Sequence, residues 1–283
     1  MRQAFLAPLT ALMVAACSPA GLLGSLQPAA AGGEIRDVAY AAGPRHSLDV
    51  YLPARGEKPP PVVMFFYGGG WKSGDRATYR FVGRSLAACG AMVFIPDYRV
   101  WPRTGFPGFL QDAAAAVAFA RKDAVRLGGD PARLFLVGHS AGAYIAAMLA
   151  LDPEYLAEMG VDQRTALAGV VGLAGPYDFL PLQDPVLEQI FAPVGPRTQP
   201  ITFAANARAP MLLAAGEDDK TVNPANTTRL AAKVRQSGGQ VISILYPGIG
   251  HVALAAALGA PLHFLAPVRA DTCRFLGLES PPR

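Results

Sequence analysis

The stretch RLFLVGHSAGAYIAAMLAL, Arg133 to Leu151, joins an apolar run of strand length to an apolar segment of helical length through Gly138, His139, Ser140, Ala141 and Gly142. A strand that becomes a helix within so few residues brings the two ends of its turn into main-chain contact. The positions two before and two after the serine must therefore lack side chains. The strain of such a turn holds the Ser140 hydroxyl clear of the backbone, which makes Ser140 the candidate nucleophile.

Working outward, PVVMFFYG, AMVFIPDY, LAGVVGLAG, APMLLAAGE and QVISILY are further short apolar runs, and Ala-rich segments of helical length lie between most of them. Continuous apolar runs alternating with helices indicate parallel strands buried on both faces, and hence an α/β fold with a doubly wound sheet. IRDVAY and HSLDVYL, ahead of these, alternate in polarity around a Gly-Pro turn as a half-buried hairpin does. Eight strands result. Ligands of such sheets bind beyond the carboxyl ends of the strands, so the residues just after each run carry the information.

A serine hydroxyl needs a base, and neutral imidazole is the usual one at pH 7. Of four histidines, His139 sits inside the turn beside the serine and is expected to point elsewhere. His46 lies on an early strand, and His263 falls in a helical stretch after Pro261. His251 follows the last strand in LYPGIGH, at the correct sheet edge, and is the candidate base. The imidazole in turn needs an acid to hold its tautomer; LLAAGEDDKTVNP, after the penultimate strand, offers Glu217, Asp218 and Asp219, and GPYDF offers Asp178.

VVMFFYGGGW, Val62 to Trp71, breaks from a buried strand into three glycines. Attack on a carbonyl creates an oxyanion, and backbone N–H groups free of side-chain crowding stabilise it best. YGGGW resembles the His-Gly-Gly-Gly motif of hormone-sensitive-lipase-like esterases and the loop of related acyl esterases and arylformamidases. PDYRV from Pro96 and GGDPARLFLVGHSAG resemble the same group, over roughly Ile35 to Leu278. The resemblance implies an α/β-hydrolase fold: a mostly parallel eight-stranded sheet with helices on both faces. It implies oxyanion donors at Gly69, Gly70 and Ala141. Matching Gly216 and Val222 to the hydrolase loop G-x-x-D-x-x-V implies Asp219 as the acid, with Asp218 and Asp178 as rivals. Tyr67 departs from the histidine usual in that loop, which bears on loop geometry and substrate preference. Asp97, Tyr98 and Arg99 are expected to be structural.

The chain has 283 residues, 52% of them hydrophobic and 16% charged, enough for a large core. Its +4 charge is spread over single Lys and Arg residues rather than runs that would track phosphates, which excludes a nucleic-acid partner. A positive start and an apolar stretch from Ala4 to Ala16 form a secretory signal, too short to span a bilayer. VAAC resembles the lipobox of bacterial lipoproteins, which implies cleavage after Ala16 and a lipid on Cys17. Residues 17–33 then form a tether and residues 34–283 one hydrolase domain, exported and membrane-anchored, or otherwise periplasmic or secreted. Cys89 and Cys273 remain; the default is two separately buried thiols. In a doubly wound hydrolase sheet the first and last helices share a face, so a disulfide is the alternative.

The sequence therefore predicts a serine hydrolase acting on a small-molecule carboxylic ester through an acyl-enzyme, without metal or cofactor. The short segment from Leu173 to Ala209 leaves little room for a large lid, which favours small or exposed acyl groups. An arylformamidase is the alternative enzyme, and a silent fold used for binding is the alternative outside enzymes. Oligomeric state is not legible.

Overall fold

The computed structural model describes residues 26–279, so the signal, the lipobox cysteine Cys17 and most of the tether lie outside the described residues. Strands β1 (Glu34–Ala39), β2 (Ser47–Tyr51), β3 (Pro61–Phe66), β4 (Met92–Pro96), β5 (Asp130–His139), β6 (Leu167–Leu173), β7 (Met211–Gly216) and β8 (Val241–Tyr246) form one sheet. Its order is β1-β2-β4-β3-β5-β6-β7-β8. The first two strands pair antiparallel, as does β2 with β4, and every later pair is parallel. All residues of β3, β4 and β7 are buried, as continuous apolar runs in a sheet covered on both faces should be.

The helices are α1 (Arg80–Ala88), α2 (Gly108–Arg126), α3 (Ala141–Leu151), α4 (Pro153–Glu158), α5 (Gln163–Ala166), α6 (Pro185–Ile190), α7 (Ala225–Gln236), α8 (His251–Ala256) and α9 (Val268–Phe275). Alternation along β5 assigns them to faces. Gly138 lies on one face, where a Cβ would sit 2.2 Å from the Gly142 carbonyl oxygen at the start of α3. Phe135 lies on the other, with its ring edge-on to Phe275 of α9. His139 shares the Phe135 side. Helix α3 is buried along its whole length, which its unbroken apolar sequence foreshadows.

Cys89, the residue that caps α1, is joined to Cys273 of α9 by a disulfide across a Cα–Cα distance of 6.2 Å. The default of two separate thiols is thus corrected: α1 and α9 lie side by side on the same face, and both cysteines fall where the helices touch. His263 also differs from expectation. It follows a short 3₁₀ turn, Ala260–Leu262, rather than lying within a helix.

Candidate active site

Three strand ends bring the site together. Ser140, between β5 and α3, has φ 55° and ψ −123°, a conformation that costs a side-chain-bearing residue about 1–3 kcal/mol and persists only when its surroundings enforce it. They do so through glycine. A Cβ on Gly142 would lie 2.0 Å from the Phe66 carbonyl oxygen, so α3 approaches the β3 backbone more closely than any side chain would permit.

His251 opens α8 just after β8, and Asp219 follows β7. The imidazole Nδ1–H donates to Asp219 Oδ2 at 2.7 Å, because a carboxylate only accepts. That leaves Nε2 as acceptor for the Ser140 hydroxyl at 2.9 Å. Asp219 is buried, and its second oxygen accepts the backbone N–H groups of Thr221 and Val222 at 2.8 and 2.9 Å. Those bonds explain the acidic loop: the carboxylate is held by its own turn. Its rivals are elsewhere. Asp218 is exposed, and Asp178 accepts from Arg229 Nε at 2.6 Å and lies on the wall of the cavity.

Opposite the imidazole lies the glycine loop. Gly69, Gly70 and Trp71 have successive φ values of 141°, 58° and 58°, which turn the chain sharply above Ser140. The Gly69 carbonyl accepts N–H bonds from Lys72 and Ser73, both at 3.1 Å. The N–H groups of Gly69, Gly70 and Ala141 bond to no other group among the described residues, and Gly70 and Ala141 line the cavity together with Ser140. Gly68 fits where a Cβ would lie 3.0 Å from Ser140 Cβ.

Tyr67 accounts for its own departure from histidine. Its buried hydroxyl donates to Asp97 Oδ1 and accepts from Arg45 Nη2, each at 2.8 Å, and its carbonyl accepts the Tyr98 hydroxyl at 2.7 Å. Asp97 also accepts the Arg76 backbone N–H at 2.9 Å and pairs with the Arg76 guanidinium, which reaches Asp49 as well. The Tyr67 ring stacks on Tyr98 and Tyr79. Burial and the Asp97 carboxylate push the Tyr67 hydroxyl well above the ordinary tyrosine range, so it stays a neutral donor. Asp97 and Tyr98 are structural as expected, and what they hold is the root of the glycine loop. Arg99 is structural too, in a forked pair with Asp112. Arg45 and Arg76 were not singled out in the sequence, since neither stands in a motif and their partners lie far along the chain.

A cavity of about 510 Å³ opens on Ser140. Trp71, Phe179 and Leu187 give it an apolar wall, and Lys72, Asp184 and Arg229 a polar one. Much of that wall comes from the segment between β6 and β7, so among the described residues this short insertion is what flanks the site. Among the described residues no group of three His, Cys, Asp or Glu side chains could hold a metal ion.

This geometry agrees with the comparisons to known proteins. The BD-FAE family profile matches residues 48–234, from β2 through most of α7. The chain belongs to the BD-FAE family. A probable isoprenylcysteine alpha-carbonyl methylesterase of Oryza sativa subsp. japonica is 32% identical over 238 residues, covering 77% of this chain and 58% of its own length. The esterase LipC of Mycobacterium tuberculosis (strain ATCC 25618 / H37Rv) is 35% identical over 152 residues, covering 51% of this chain and 37% of its own. The chain thus spans little more than half the length of the rice relative. A truncated carbohydrate esterase from gut microbiota superposes with a TM-score of 0.74 at 20% identity, covering 89% of this chain and 98% of that one. At that identity the likeness shows the fold, which is that of the α/β-hydrolases.

Proposed function

We propose that this BD-FAE member is a serine esterase that hydrolyses carboxylic esters through an acyl-enzyme. The observation that carries the proposal is the hydrogen-bonded line from Ser140 through His251 to Asp219, beside a loop of unpaired backbone donors. Ser140 Oγ attacks the ester carbonyl carbon while its proton passes to His251 Nε2. The buried Asp219 carboxylate holds the imidazole tautomer and stabilises the imidazolium. The carbonyl oxygen becomes an oxyanion, which the N–H groups of Gly69, Gly70 and Ala141 stabilise. Collapse of the intermediate expels the alcohol with the proton from His251. Water, deprotonated by the same imidazole, then attacks the acyl-Ser140 carbonyl; the acid leaves and Ser140 regains its proton. The names of the relatives, methylesterase and esterase, support an ester as substrate. The cavity of about 510 Å³, flanked among the described residues by the short segment between β6 and β7, favours a small or exposed acyl group.

The protein is also proposed to be an exported lipoprotein anchored through Cys17. The lipobox supports this, and so does the Cys89–Cys273 disulfide, since such bonds persist in oxidising compartments. Labelling with a tagged fatty acid tests it: loss of label in Cys17→Ser is expected, and an unlabelled wild type overturns the anchor. For the activity, protein lacking residues 1–16 is assayed on a small aryl acetate and on N-formylkynurenine. Turnover of the acetate with little on the formamide is expected. The reverse preference makes the protein an amidase, and no turnover of any ester in a substrate panel overturns the esterase reading.

A further inference from the structure

The proposed mechanism leaves one buried titratable group beside the triad unused. His139 lies inside the elbow and, as expected, points away from the serine hydroxyl; its Nε2 meets the main-chain oxygen of His251 instead. Strand alternation carries its side chain to the face of β5 opposite α3, the side on which Phe135 meets Phe275 of α9. Its ring lies 4.8 Å from that of His251, centroid to centroid, at an interplanar angle of 44°. Its Nε2 is 3.1 Å from the main-chain oxygen of His251. A carbonyl only accepts, so the His139 proton is on Nε2.

We infer that His139 is a positioning residue for the base: it pins the backbone of His251 and braces its imidazole against the glycine loop. The inference rests on the esterase reading of the site. On the far side of His139, a Cβ on Gly68 would lie 3.1 Å from Nδ1. The ring therefore fills the space between the oxyanion loop and α8, and touches the two parts whose spacing sets the reacting geometry. Helix α8 has only six residues and no side-chain cap, so its own hydrogen bonds hold its first residue weakly. The bond from His139 supplies an anchor at that residue.

Two features separate a positioning role from mere filling. Nδ1 is buried with no donor among the described residues, a cost that a leucine of similar size would avoid. The groups whose charge reaches His139 are His251 at the start of α8 and Asp219 after β7. Burial, reinforced by His251, pushes the His139 imidazole down to about 3, so it stays neutral when His251 becomes charged. A neutral donor can then hold the imidazolium's backbone without opposing its charge.

The test compares His139→Leu, His139→Asn and His139→Gln in the esterase assay, with thermal melting as a check on folding. A glutamine side chain carries its N–H to about the place of Nε2, and an asparagine does not reach. His139→Leu and His139→Asn are expected to lower kcat about 10- to 100-fold with KM nearly unchanged, and His139→Gln to restore most of it. If leucine fails to fold, the Asn and Gln pair carries the test. Equal kcat in Gln and Asn, or wild-type kcat in a folded Leu variant, overturns the inference. A wild type without ester turnover overturns the esterase reading instead, so the two failures are distinct.

Discussion

The elbow and the glycine loop face each other across Ser140 and are held by opposite means. The elbow is fixed by what is missing: Gly138 and Gly142 remove side chains so that α3, β5 and β3 touch backbone to backbone. The glycine loop is fixed by what is present, a buried network of Tyr67, Asp97, Arg45 and Arg76 drawn from four separate parts of the chain. A turn that depends on absence is a local property of a few residues. A loop that depends on long side chains inherits the accuracy of the whole fold.

That contrast can be broken in order of expected effect. Ser140→Ala should lower kcat about 10⁴-fold or more with folding intact, because a triad acts as a unit; Asp219→Asn should also be severely impaired and the exposed Asp218→Asn should not. Both read out as turnover at matched folded concentration. Next, Gly69→Ala should cost about 3 kcal/mol in the transition state, seen as a kcat loss of roughly 100-fold. The added Cβ would sit 2.2 Å from the Ser73 carbonyl oxygen, so the loop must move. A rise in KM alone would make the loop a substrate wall.

Tyr67→Phe sharpens the comparison. It removes a donor to a buried carboxylate that Arg76 still holds, so stability should fall by about 1–3 kcal/mol in chemical denaturation and kcat by about tenfold at constant KM. An unchanged kcat would mean that the glycines hold the loop by themselves. The smallest effect on activity belongs to Cys273→Ser. Its loop spans 184 residues, so losing the cross-link should destabilise the fold by about 4 kcal/mol, and initial turnover at low temperature should be unchanged.

Legibility in the sequence follows the same division. Ser140, His251 and Asp219 could be found because each follows an apolar run of strand length, and a parallel sheet gathers all such positions at one edge. The choice of Asp219 over Asp218 needed the family pattern, and the structure supplies its reason in the turn formed with Thr221 and Val222. Arg45 and Arg76 gave no signal, because a single arginine in a loop is far more often solvated than buried against a partner. For His139 the period of a strand says only which face it takes, and the occupant of that face comes from elsewhere in the chain.

The sequence by itself thus determined the order of elements, the sheet they build, the elbow, and the places of Ser140 and His251. These rest on periodicity, on glycine and on chain order, which are properties of neighbours. Only the tertiary structure decided that Cys89 meets Cys273, that Tyr67 hangs from Asp97 and that His139 braces His251. Each of these pairs joins residues at least thirty positions apart. Contact between such residues is set by how helices settle on the sheet, to within a fraction of a side chain, and no local pattern records that.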